Sequence, residues 1–186
     1  MTHPLVDRLT IIGLGLIGSS IARAARYRGL ARTIVATDAS EAVCRRVKEL
    51  GLADEVTPSL SEAVKDADLV VLCVPVGANA AVAVAICAHL KPGAIISDVG
   101  SVKASVVRDV EPLLPEGVHF VPAHPVAGTE FSGPDAGFAT LFENRWTILT
   151  PPEGQEEAAI ARVRAFWEGM GSNVEVMEAK HHDLVL

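Results

Sequence analysis

Leu9-Thr10-Ile11-Ile12-Gly13-Leu14-Gly15-Leu16-Ile17-Gly18 decides the fold: an apolar run ends in a glycine turn, and a helical pattern starts directly behind it. Gly13 permits the tight turn out of a strand, Gly15 leaves room for a pyrophosphate against the backbone, and Gly18 allows close helix–strand packing. An anion placed there meets unpaired N–H groups and the positive end of a helix dipole, so no lysine is required. Gly13, Gly15, Leu16, Ile17 and Gly18 are therefore read as dinucleotide-binding residues.

Working outward, the next apolar run, Thr33-Ile34-Val35-Ala36-Thr37, ends in Asp38. That acid lies about 20 residues beyond the last glycine, where a carboxylate can accept from the adenosine ribose hydroxyls. It would repel a 2′-phosphate, and no arginine follows to accommodate one, so NAD is expected over NADP. Asp38 can also cap the helix that starts near Ser40, and one role does not exclude the other.

Strand and helix patterns alternate with short connections along the rest of the chain, which predicts an α/β fold. The expected architecture is a doubly wound, Rossmann-type, mostly parallel sheet with helices on both faces. Strands are predicted near residues 8–13, 33–38, 68–74, 94–98, 118–122, 145–149 and 173–177, and helices near 16–29, 40–50, 60–66, 78–90, 103–113 and 155–170. The run from Leu69 to Leu90 is apolar enough to suggest a membrane span, but Pro75, Gly77 and Asn79 interrupt it. A buried strand followed by a buried helix accounts for it better.

The 186 residues suit one domain, or one domain and a fragment. A net charge of -7 without a basic cluster argues against nucleic acid or an anionic membrane as partner. Met1-Thr2-His3-Pro4-Leu5 lacks the basic start and apolar stretch of a signal peptide, so a cytoplasmic protein is expected. Cys44, Cys73 and Cys87 show no paired spacing and are read as reduced structural residues; no metal site is expected.

In open α/β sheets ligands collect beyond the carboxyl ends of the strands. Val74 and Pro75, the residues after Asp98, and those after Pro122 are therefore expected to border one crevice. In Asp98-Val99-Gly100-Ser101-Val102-Lys103, Gly100 keeps the backbone accessible to cofactor and Ser101 offers a hydroxyl that both donates and accepts. Ser101 also suits the N-cap of a helix beginning at Val102, with Lys103 a solvated first-turn residue. In Val121-Pro122-Ala123-His124-Pro125, two prolines stiffen the backbone around a histidine, the side chain best suited to proton transfer near neutrality.

Gly13–Gly18, the run from Asp98 to Lys103, His124-Pro125-Val126-Ala127-Gly128-Thr129-Glu130 and the late Lys180-His181-His182-Asp183 together resemble the prephenate and arogenate (cyclohexadienyl) dehydrogenases of tyrosine biosynthesis. The resemblance covers essentially the whole chain. It implies NAD-dependent oxidative decarboxylation of a cyclohexadienol, with His124 accepting the proton of the 4-hydroxyl, Ser101 orienting both, and Glu130 at the mouth of the site in a gating or polar role. It also implies a helical domain that forms a homodimer and binds the substrate carboxylates. Here Asp183-Leu184-Val185-Leu186 is an apolar helical run without a glycine stop, so the chain reads as cut. Residues 1–177 are read as the NAD-binding domain and 178–186 as the start of the helical one, with poor turnover expected of this chain alone. Two other readings fit the residues: a dehydrogenase of the same sheet type acting on a 3-hydroxy acid or an imine, and a non-catalytic NAD-sensing module.

Overall fold

The computed structural model describes residues 3–186; Met1 and Thr2, part of the stretch read above for a leader, lie outside the described residues. Residues with alternating burial demands build the centre. In β1 (Val6–Ile12) and β4 (Leu69–Leu72), Leu9, Ile11, Leu69 and Val71 join one apolar cluster, and Ile12, Val70 and Leu72 join the other. A strand buried on both faces has no polar side, which is why β4 reads as a continuous apolar run.

Helices cover both faces. α1 (Leu16–Arg28), α2 (Glu41–Glu49) and α6 (Glu157–Gly169) contribute Ile21, Val47 and Val163 to the first cluster. α3 (Leu60–Val64), α4 (Asn79–Ile86) and α5 (Ala104–Val110) contribute Val64, Ala83, Ile86 and Val106 to the second. With β2 (Ala31–Thr37), β3 (Glu55–Val56), β5 (Ile95–Asp98) and β6 (His119–Phe120), the strands form a six-stranded parallel sheet in the order β3-β2-β1-β4-β5-β6. The order reverses between β1 and β4, so a crevice opens at their carboxyl ends.

One departure from expectation concerns the last third of the chain. β7 (Ala123–Pro125), β8 (Trp146–Leu149) and β9 (Asn173–Val176) form a separate three-stranded sheet, with β7 antiparallel to β8 and β8 parallel to β9. Pro122 makes the switch. Val121 N–H still donates to Ile96 O at 2.9 Å, but proline has no N–H to continue along β5, and Pro122 O instead accepts from Thr150 N at 3.0 Å. The predicted strand over 118–122 is thereby cut to two residues, and His124 is carried away from the main sheet on β7.

The apolar run from Leu69 resolves into β4, a short turn and α4, which stops at Ile86 instead of Leu90. No helix among the described residues is long and apolar enough to cross a membrane. The three cysteines are free. The last element, α7 (Ala179–Val185), packs against α5 and so reaches the site described next.

Candidate active site

The glycine turn has the geometry its sequence demands. Gly13 takes φ +94°, a conformation closed to most side chains, and a Cβ there would sit 2.5 Å from Cys73 O. A Cβ on Gly18 would overlap the Gly13 carbonyl oxygen, whereas one on Gly15 would meet nothing within 4 Å. Two of the glycines thus serve the fold, and the third faces open space. α1 begins at Gly15 with no side-chain cap and no acidic residue in its first turn, so the N–H groups around Leu16, Ile17 and Gly18 are left for a ligand anion.

Gly13, Gly15, Asp38, Val74 and Pro75 line one cleft of about 410 Å³, and Thr37, whose buried hydroxyl has no partner in the protein, lines it too. Asp38 Oδ2 accepts from Leu14 N and Oδ1 from Ser40 N, each at 2.9 Å. The helix cap is Ser40, whose hydroxyl accepts from Val43 N, so Asp38 ties the glycine turn to the start of α2. Each carboxylate oxygen keeps a second lone pair for a donor in the cleft. An uncapped helix start, an open Gly15 and an acid at the end of β2 together fit a bound dinucleotide.

The segment after β5 comes next to this cleft. A Cβ on Gly100 would come within 2.8 Å of Val76 Cγ2, directly after Pro75. Asp98 is wholly buried, and so is Lys103, which corrects the expectation of a solvated lysine. Lys103 Nζ donates to both Asp98 oxygens at 2.7 and 2.6 Å and to Ala123 O at 2.7 Å, while Gly100 N donates to Asp98 Oδ2 at 2.8 Å. Burial pushes the Asp98 carboxyl up and the Lys103 ammonium down, and their mutual contacts, with the Gly100 and Ala123 N–H donors on Asp98, oppose both shifts. This buried pair bolts β5 to β7 beside His124.

Ser101 is exposed and does not cap α5, which starts only at Ala104. Asp183 takes that place: its Oδ1 accepts from Lys103 N and its Oδ2 from Ala104 N, both at 2.8 Å. Glu130 is exposed in the loop after β7. That loop lies along α1 and α2, with Arg23 donating to Pro134 O at 2.8 Å and Arg46 gripping both oxygens of Asp135.

His124 is partly buried, and it is not a lone imidazole. Its Nδ1 lies 2.8 Å from Nε2 of the fully buried His182, whose Nδ1 lies 2.8 Å from Asp183 Oδ1. Burial first, then His182 and the Lys103 ammonium, hold the His124 pKa down to about 4, with Asp183 opposing. Burial also works against the Asp183 carboxylate, yet hydrogen bonds from His182, Ala104 N and Lys103 N keep its pKa below the ordinary value. His124, His182 and Asp183 thus form a hydrogen-bonded chain, and among the described residues no three His, Cys, Asp or Glu side chains are placed to hold a metal ion. The sequence named His182 and Asp183 only as part of a run; no local pattern joins them to His124, 58 residues away.

Residues 21–176 match the family model described as "Prephenate dehydrogenase, nucleotide-binding domain". The chain belongs to the prephenate dehydrogenase family. A cyclohexadienyl dehydrogenase of Zymomonas mobilis is 48% identical over 178 residues, covering 96% of this chain and 60% of that protein. The crystal structure of a prephenate dehydrogenase from A. aeolicus, in complex with hydroxyphenyl propionate and NAD+, superposes with a TM-score of 0.89 at 32% identity, covering 96% of this chain and 62% of that one. A Synechocystis arogenate dehydrogenase gives 0.88 at 31% identity, with 95% and 61% covered. The chain therefore spans about three-fifths of the length of these family members.

Proposed function

We propose that the chain is the NAD-binding part of a dehydrogenase that converts prephenate, arogenate or both to the aromatic product by oxidative decarboxylation, with His124 as its general base. The observation that carries this reading is a half-buried imidazole, its pKa held down to about 4, on the strand that Lys103 joins to the end of β5. The names of the relatives supply the substrate class, and the A. aeolicus complex with NAD+ supports the cofactor.

Bound NAD supplies the hydride acceptor. The uncapped start of α1 holds the pyrophosphate, Asp38 accepts from the adenosine ribose hydroxyls, and Val74, Pro75 and Gly100 line the remainder. His124 accepts the proton of the substrate's ring hydroxyl, which a base neutral above pH ~5 can do throughout the physiological range. Ser101 orients that hydroxyl, and Glu130 acts at the mouth of the site. Loss of CO2 completes the aromatic ring, so the protein chiefly positions the substrate and provides the base. Residues 1–177 form the nucleotide-binding unit, and 178–186 begin a helical segment of the whole protein, a homodimer by family resemblance.

His124→Asn tests the assignment. NADH formation with prephenate and arogenate is expected to fall by ~10²- to 10⁴-fold while NAD affinity stays unchanged. Turnover unaffected by that substitution would remove His124 from the chemistry and favour a nucleotide-sensing role.

A further inference from the structure

We propose that His182 and Asp183 are positioning residues that fix the tautomer of His124, leaving its Nε2 as the bare, proton-accepting nitrogen; the catalytic consequence rests on the function proposed above. The argument is one of donors and acceptors. Asp183 accepts from Lys103 N and Ala104 N at 2.8 Å each, which anchors its carboxylate to the first turn of α5. An ionised carboxylate has no hydrogen to give, so the 2.8 Å contact to His182 requires the proton to lie on His182 Nδ1. With no second proton on His182, its Nε2 offers a lone pair, and His124 Nδ1 is the donor across the 2.8 Å contact. His124 carries its proton on Nδ1, and Nε2 is free to receive one.

Each link is held by packing as well as by hydrogen bonds. His182 has no solvent exposure, so water cannot substitute for either partner. The two imidazole planes meet at 72° with centroids 5.0 Å apart, an edge-on approach that directs the His124 Nδ1–H at the His182 lone pair and not at its face. The titratable groups facing His124 are His182, Lys103 and Asp183. Lys103 Nζ has its three hydrogens committed to Asp98 and Ala123, so it does not compete for either imidazole nitrogen. The same Asp183 that caps α5 thus sets, through one intermediate ring, which nitrogen of His124 is basic. Were the contacts reversed, His124 Nε2 would bear a hydrogen and could not accept one from substrate.

The decisive measurement needs no substrate. In the 15N-histidine-labelled chain at pH 7, long-range 1H–15N correlations, assigned with His124→Asn, are expected to show both His124 and His182 protonated at Nδ1. A proton on His124 Nε2 would overturn the inference. Two variants then separate positioning from packing in the dehydrogenase assay. His182→Gln can present an amide oxygen to His124 Nδ1 and is expected to keep kcat within ~10-fold, whereas His182→Leu offers no acceptor and should lose ~100-fold or more in kcat with NAD affinity unchanged. Equal loss in both, with His124 still protonated at Nδ1, would make His182 a packing residue only. If the tautomers are as stated but His124→Asn leaves turnover intact, the functional reading fails and the tautomer assignment stands.

Discussion

Lys103 shows how far a residue's setting can differ from its type. A lysine in the first turn of a helical pattern reads as solvated, yet its ammonium is wholly buried among Asp98 and Ala123 O. Replacing it with methionine keeps the volume and strands the Asp98 carboxylate. Lys103→Met is therefore expected to lower unfolding free energy by about 3–5 kcal/mol in urea denaturation, since an unpaired buried charge costs far more than a surface ion pair returns. A loss under ~1 kcal/mol would show that Asp98 finds another partner. Nothing in the local sequence announced this pair, because the burial comes from β7 folding over it, and β7 is 20 residues further on. His124 makes a second prediction at this scale. Its folded pKa of about 4 lies below its ordinary 6.5, so on acidification the unfolded chain takes up the proton first. The contribution is fully present above pH 6.5 and is lost as pH falls through 4, by at most ~3 kcal/mol and less for a partly solvated ring. In His124→Asn the stability–pH curve should flatten across that window; an unchanged slope would place the titration elsewhere.

At the scale of elements, the longer strands of the main sheet could be read because each is buried on two faces or followed by a capped helix. β1, β2, β4 and β5 each announce themselves as apolar runs, and Ser40 and Ser59 cap α2 and α3. β3 and β7 could not be read, since two or three residues carry no period, and β6 is what remains of the strand expected over 118–122. The split into two sheets hangs on one missing N–H at Pro122, which pattern alone assigns to a strand end. The strand–turn–helix unit at Gly13 makes a sharper prediction, because its glycines serve different masters. Gly18→Ala drives a methyl into Gly13 O and is expected to lower the melting temperature by several degrees or prevent folding. Gly15→Ala meets nothing in the protein, so the melting temperature should hold within ~2 °C while NAD affinity drops ~10-fold or more, the methyl occupying ligand space. Parallel losses of stability in both variants would mean that Gly15 serves the fold and not the cofactor.

For the whole molecule, the proposed cofactor is expected to act as a stability term. The cleft exists only when β1, β2 and β4 are assembled, since Gly13, Asp38 and Pro75 reach it from three separate strand ends. On the function proposed above, NAD is therefore expected to bind the folded chain and not the unfolded one. At 100 times its dissociation constant a single-site ligand contributes about 2.7 kcal/mol, and in a chain of this size each kcal/mol moves the midpoint by about 2–4 °C. A thermal melt with saturating NAD should shift upward by ~5–10 °C. NADP at the same concentration should give a smaller shift, because its 2′-phosphate would face the Asp38 carboxylate, and in Asp38→Ser the two shifts should converge. His124→Asn should keep the whole NAD shift, since the imidazole is committed to His182 and lines no part of that cleft. Equal shifts with NAD and NADP in the unaltered chain would detach Asp38 from the ribose and leave it only the two backbone N–H groups it already holds, at Leu14 and Ser40.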